Sequence, residues 1–225
     1  MIPLRDENPV SSTPWMTWLL VASCVLIFLW QVSQGAPHFN RVIFSLGVIP
    51  AVLFGHAQLP PEVAMVPPAA TVVTSMFLHG GWLHLAGNML YLWIFGDNIE
   101  DRMGRLRFLV FYLACGTAAV FAQALPAPET RVPMVGASGA ISGVLGAYLL
   151  LFPRARVLVL VPFGFILKVI RLPAVWVLGL WFGIQLVSSL VAPAGEGGIA
   201  FRAHLGGFVA GLALAPLFLP RRRSR

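Results

Sequence analysis

Charge is what this chain lacks most. Lysine and arginine number 15 and aspartate and glutamate 8, so 10% of the 225 residues are charged against 58% hydrophobic. A soluble domain carries about a quarter charged residues, so an ordinary soluble protein is excluded. Cysteine is nearly absent: Cys24 and Cys115 both lie inside apolar runs, which leaves no disulfide framework and reads as small hydrophobes in membrane helices. No His-Glu-x-x-His occurs and no carboxylate lies at the depth of the membrane histidines, so a zinc protease is rejected. An internal repeat, which a small transporter would be expected to carry, is also missing. The net charge of +7 reads as membrane topology rather than nucleic-acid binding, because the basic residues sit between apolar stretches.

What is present is a series of six apolar segments, at about 15–32, 82–95, 108–125, 138–152, 173–191 and 203–219. The expectation is an all-α polytopic membrane protein, a six-transmembrane helical bundle over 15–219. A short segment 1–14 precedes it, and a basic tail 220–225 follows as an anchor for anionic lipid. Twelve Lys and Arg residues fall on one side of this topology. Only Arg41, Arg131 and Arg202 fall on the other, which places both the N- and C-termini in the cytoplasm. The first apolar run is too long for a signal-peptide core and is read as a retained span. Without a targeting extension, the expected location is a bacterial cell (inner) membrane. The long outer loop 33–81 is rich in proline and apolar residues, and short interfacial helices are expected there. Segment 157–171 is apolar around Pro162-Phe163-Gly164 and is expected to form a hairpin-like interfacial element or a re-entrant helix.

Polar groups inside spans are costly, so each needs a reason. Ser138, flanked by Gly136 and Gly139, opens the fourth span; Ser142 follows one turn later. His84 and Asn88 lie in the second span and His204 in the sixth. Counted from the cytoplasmic ends of their helices, Ser138, His204 and His84 stand at about 22, 24 and 20 Å. These three levels agree. A serine and a histidine at one depth can act as nucleophile and general base. No aspartate or glutamate lies at that depth, so a dyad is the most the chain can build. His84 and Asn88, four residues apart, can point at one oxygen beside the Ser138 backbone N–H. Gly139 and Gly143 on the fourth span, and Gly207 and Gly211 on the sixth, would let two backbones approach. The same small residues equally suit plain helix packing. Gln123 and Gln185 read as interhelical hydrogen bonds.

Three motifs in order, His84-Leu85-Ala86-Gly87-Asn88, Gly136-Ala137-Ser138-Gly139 and Ala203-His204-Leu205-Gly206-Gly207, together with Glu100-Asp101-Arg102, make the chain resemble the rhomboid intramembrane serine proteases of the basic six-span type. The resemblance covers nearly the whole chain. It implies cleavage of transmembrane protein substrates within or next to their helices, without a metal or cofactor. It implies Ser138 as nucleophile and His204 as base. It also implies an oxyanion site from His84, Asn88 and the Ser138 backbone, and an ion-pair network through Glu100 and Arg102 bracing the outer loop and second helix. Two features depart from some members: the outer loop has no Trp-Arg pair, and Ser142 stands where an aromatic often follows the nucleophile.

The remaining histidines carry less. His79 is expected to make a structural hydrogen bond in the outer loop, and His38 and His56 have no identifiable partner. The glycine-rich stretch 194–201 either caps the site or merely connects two helices. The alternative function is a non-proteolytic chaperone or quality-control protein that binds transmembrane helices; both Ser138 and His204 are nevertheless present.

Overall fold

The structure, a computed structural model, describes residues 1–164, 166–191 and 200–220. In chain order its elements are strand β1 (Ile2–Asp6), helices α1 (Trp15–Ser33), α2 (Ala36–Leu46), α3 (Pro50–Leu53), α4 (Thr71–Thr74), α5 (Trp82–Met103), α6 (Arg105–Ala124) and α7 (Ser138–Leu151), strands β2 (Arg156–Phe163) and β3 (Ile166–Pro173), and helices α8 (Ala174–Val191) and α9 (Phe201–Phe218). Six long helices, α1 and α5 to α9, form a membrane bundle. By length and composition α1, α6, α8 and α9 can each cross a bilayer. The other two depart from that template for different reasons. α5 continues past the expected end near residue 95 and carries Asp97, Glu100, Asp101 and Arg102 in its last turns. α7 has 14 residues, about 21 Å at the helical rise, and falls short of a ~30 Å hydrocarbon core.

That short helix is the centre of the molecule. Every residue from Gly139 to Tyr148 is buried, which fits a helix that is small or apolar all round. The helices around it invert the soluble pattern: α8 exposes Trp176 (69%) and Leu190 (78%), as expected where the solvent is lipid. Glycine sets the spacing between α7 and its neighbours. A Cβ on Gly207 would lie 2.0 Å from the Gly139 carbonyl oxygen, and one on Gly211 2.0 Å from that of Gly143. On its other side α7 presses against α6, where a Cβ on Gly139 would meet the Ala119 Cβ at 2.5 Å. α7 is thus held between α6 and α9 at backbone-to-backbone distance.

The outer loop contains α2, α3, α4 and two 3-10 turns, Pro68–Ala70 and Ser75–Phe77. It is tied to the segment before α7 by the Val48–Met134 bridge and by the Gly136 N–H donating to the Ser75 carbonyl at 2.9 Å. At the opposite end, the expected hairpin forms as β2 and β3, paired from Arg156↔Pro173 to Phe163↔Ile166 and turning at Gly164 (φ 59°). β1 adds to it, giving an antiparallel sheet in the order β1-β2-β3 beside the helices. This third strand was not expected from the sequence: its five residues include Pro3, Arg5 and Asp6, and its two alternating apolar residues, Ile2 and Leu4, are exposed while Pro3 is buried. Val157 and Val159 face the bundle fully buried. Asp6 Oδ2 accepts from the Tyr148 hydroxyl at 2.5 Å and from Asn98 Nδ2 at 2.9 Å, fastening the sheet to α7 and α5. Residues 194–199 of the glycine-rich stretch and 221–225 of the basic tail lie outside the described residues.

Candidate active site

Ser138 is the first residue of α7, and no side chain caps that helix. Its N–H is one of the donors a helix leaves unpaired in its first turn, at the positive end of the dipole. Its hydroxyl oxygen lies 2.8 Å from His204 Nε2, one turn into α9. Two helices that touch through Gly139 and Gly207 bring these groups together. The other nitrogen of the ring, His204 Nδ1, lies 2.6 Å from Gln185 Oε1 on α8. Trp181, one turn earlier on the same helix, lays its ring beside the imidazole with centroids 5.9 Å apart. Gln185 was read from the sequence only as an interhelical hydrogen bond, and Trp181 was not singled out. The signal was a polar residue inside a span, four positions from an aromatic on the same helix face.

On α5, His84 Nδ1 accepts from the Gly80 N–H at 3.3 Å, which leaves the proton of the neutral ring on Nε2 as a donor. That nitrogen lies against Gly136. A Cβ built there would be 2.8 Å from His84 Nε2 and 3.7 Å from Ser138 Oγ, so the imidazole donor and the hydroxyl border one small space. Gly136 has φ 128°, a conformation that a side chain would strain, and the space a Cβ would need is filled by the ring. Asn88 uses one amide hydrogen on the His84 carbonyl at 2.9 Å and keeps the other on the same face. Ser142 Oγ donates to the Ser138 carbonyl at 2.6 Å, so its hydroxyl turns to the backbone and not to His204. Gln123 Oε1 accepts from Ala203 N at 3.2 Å, at the start of α9.

These groups line a cavity of about 590 Å³. Its walls run from the loop residues Thr130 to Val135 past Ser138, His204, His84, Asn88 and Ser142 to Tyr91 and Leu145. Leu145 lies seven residues along α7 from Ser138, roughly 10 Å deeper at the helical rise. α5 and α8 flank the space through Leu83, Gly87 and Trp181. A peptide segment and the water for its hydrolysis fit within it, since ligand sites span about 300–1,000 Å³. Among the described residues no cluster of His, Cys, Asp and Glu could hold a metal ion.

Two expectations change. Glu100 and Arg102 stand sixteen or more residues along α5 from His84, at the opposite face, and do not brace the outer loop. Glu100 instead accepts from Met16 N (2.9 Å), Thr17 N (2.7 Å) and Thr17 Oγ1 (2.8 Å), capping the start of α1 from a buried position. The Arg102 guanidinium lies over the Phe152 ring, 5.8 Å from its centroid. His79 does make structural hydrogen bonds, but through its main chain: its N–H donates to Gln31 Oε1 and its carbonyl accepts from Gln31 Nε2. The fully buried ring packs on His84 and Phe28. Burial, and to a lesser degree His84, push its pKa down to about 4, so it is neutral in the site's surroundings.

A family model described as Rhomboid domain matches residues 68–221. The chain is similar to Rhomboid protease GluP of Bacillus subtilis, 30% identical over 209 residues, covering 92% of this chain and 36% of that protein. It is similar to Rhomboid protein 1, mitochondrial, of Saccharomyces cerevisiae, 31% identical over 139 residues, 55% of this chain and 40% of that protein. It is also similar to Rhomboid-like protease 5 of Toxoplasma gondii, 36% identical over 146 residues, 63% of this chain and 15% of that protein. The chain spans well under half the length of each of these relatives.

Proposed function

The chain belongs to the rhomboid family, and on that premise we propose that it is an intramembrane serine endopeptidase acting on transmembrane protein substrates. The observation that carries this reading is the 2.8 Å contact between Ser138 Oγ and His204 Nε2 at the wall of a cavity inside the bundle. A substrate segment enters between α5 and α8 with its helix unwound, since helical carbonyls are already hydrogen-bonded. Ser138 Oγ attacks the scissile carbonyl carbon while its proton passes to His204 Nε2. The resulting oxyanion receives donors from the Ser138 N–H, His84 Nε2–H and Asn88 Nδ2–H. His204 then protonates the leaving amine, and the C–N bond breaks. Water attacks the acyl-enzyme, giving its proton to His204, and the carboxylic acid departs with Ser138 restored. No carboxylate takes part. The bias of basic residues supports cytoplasmic termini, with the site opening to the far side of a bacterial inner membrane.

The test is cleavage of a single-span reporter co-reconstituted in liposomes with wild type, Ser138→Ala or His204→Ala. Product from wild type alone is expected. Product from all three would remove the pair from the mechanism. Binding of the reporter without product from any of them would favour a helix-binding, non-proteolytic role.

A further inference from the structure

α8 is largely a lipid-facing helix, with Leu180, Ile184, Leu186, Val187, Leu190 and Val191 all exposed. Gln185 lies on its narrow buried stripe with Val177, Leu178 and Ser189, 9% exposed and turned inward. A primary amide inside a membrane bundle is costly unless paired. Here its oxygen meets His204 Nδ1 at 2.6 Å while the opposite ring nitrogen meets Ser138 at 2.8 Å. An amide oxygen can only accept, so Nδ1 must carry the proton. A neutral imidazole with its proton on Nδ1 has its lone pair on Nε2, the nitrogen that must take the serine proton. The other tautomer would offer Ser138 a donor and could not act as base.

We propose that Gln185 is a positioning residue of the Ser138–His204 pair: its Oε1 accepts the Nδ1 proton of His204 and holds the ring in the base-competent tautomer and plane. The inference rests on the serine protease reading above and goes beyond it, because it adds a third member from a different helix. An amide suits this place better than a carboxylate would, since an ionised acid inside the bundle carries a desolvation cost of several kcal/mol. Trp181 completes the hold by covering the ring from the same helix. Because both groups ride on α8, a displacement of α8 that widens the cavity also releases the imidazole. The base is therefore set only while α8 is packed against α9.

The experiment compares wild type, Gln185→Met, Gln185→Glu and Ser138→Ala in liposomes with the single-span reporter. A second measurement reads the ring tautomer of His204 by nitrogen NMR of histidine-labelled protein, with His204→Ala for assignment. Gln185→Met keeps the length and loses the acceptor; kcat should fall about tenfold or more with KM unchanged, a part of the 10²–10⁴ that general-base catalysis contributes. The Nδ1–H signature of His204 should be lost with it, while Gln185→Glu, which keeps an acceptor, should restore both. Unchanged kcat in Gln185→Met, or a fall in kcat with the tautomer unaltered, would overturn the proposal and leave Gln185 a packing residue. Activity in Ser138→Ala would instead overturn the serine protease reading itself. An inert Ser138→Ala beside a fully active Gln185→Met would sink only the role of Gln185.

Discussion

Replacing Gly207 by alanine should separate the nucleophile from its base without touching either. A Cβ there would stand 2.0 Å from the Gly139 carbonyl oxygen and 2.9 Å from its carbon. Carbon–oxygen contacts between helices settle at about 3.3–3.6 Å, so α9 must retreat from α7 by about 1.4 Å at this level. Backbone cannot rotate aside as a side chain can, and α7 is already pressed on α6 behind it. His204 lies one turn before Gly207, so its ring moves with the helix and the 2.8 Å contact opens beyond hydrogen-bond range. A misplacement of ~1 Å costs roughly 100-fold in rate, and overpacking of this kind costs about 1–3 kcal/mol in stability. The expected result is a folded variant, with a lowered thermal midpoint in detergent, whose reporter turnover in liposomes falls roughly 100-fold. Gly179→Ala on α8 is the control, because nothing lies within 4 Å of a Cβ there. It should cleave at the wild-type rate and gain about 0.5–1 kcal/mol of helix stability. Wild-type turnover in a folded Gly207→Ala protein would refute the claim that the glycine contact sets the Ser138–His204 distance.

Three further outcomes follow from other parts of the molecule. Gly136→Ala should lower turnover by at least ~100-fold with little change in reporter binding, since its Cβ would displace the His84 ring and strain a φ of 128°; retained turnover would remove His84 from the oxyanion site. Glu100→Ala should destabilise the fold by about 3 kcal/mol, because three donors at the start of α1 lose a buried charged acceptor; an unchanged thermal midpoint would count against that cap. Burial, with help from Asp97, raises Asp6 from 3.8 to about 6 against the opposing hydrogen bond from Tyr148. The docked sheet therefore binds the proton more tightly than the released strand does. Its stability is greatest below about pH 4, declines as pH rises to about 6 and is then flat. Discounted for partial exposure, the decline is on the order of 1–2 kcal/mol. Hydrogen exchange of residues 2–6, corrected for intrinsic rates, should show it, and Asp6→Asn should abolish it; a pH-independent wild type would refute the assignment.

The membrane helices were legible because their signal is one-dimensional. Long apolar runs broken by Arg and Pro mark a span wherever it sits, and the observed ends of α1, α7, α8 and α9 differ from the expected ones by two residues or fewer. α5 ran longer because its charged last turns are helical, with Glu100 turned inward at 1% exposed, and hydropathy cannot register a buried acid satisfied by backbone and hydroxyl donors from another helix. Likewise β1 was invisible because its alternation is only Ile2 and Leu4, too short to mark a strand and not the face that is buried; it is defined by pairing with β2.

The chain's own order of residues determined the class of protein, the run of apolar helical segments, and which serine and histidines stand at one height along their helices, since rise per residue converts position into height. It could not determine azimuth, meaning which way each helix faces around its axis. Only the tertiary structure decided that Ser142 turns to the Ser138 carbonyl and that Gln185 meets the far side of His204. It also decided that Glu100 holds α1 and does not pair with Arg102. The contacts of Gln185 and Glu100 depend on which neighbour a helix face meets, and that is settled by packing between segments far apart in the chain.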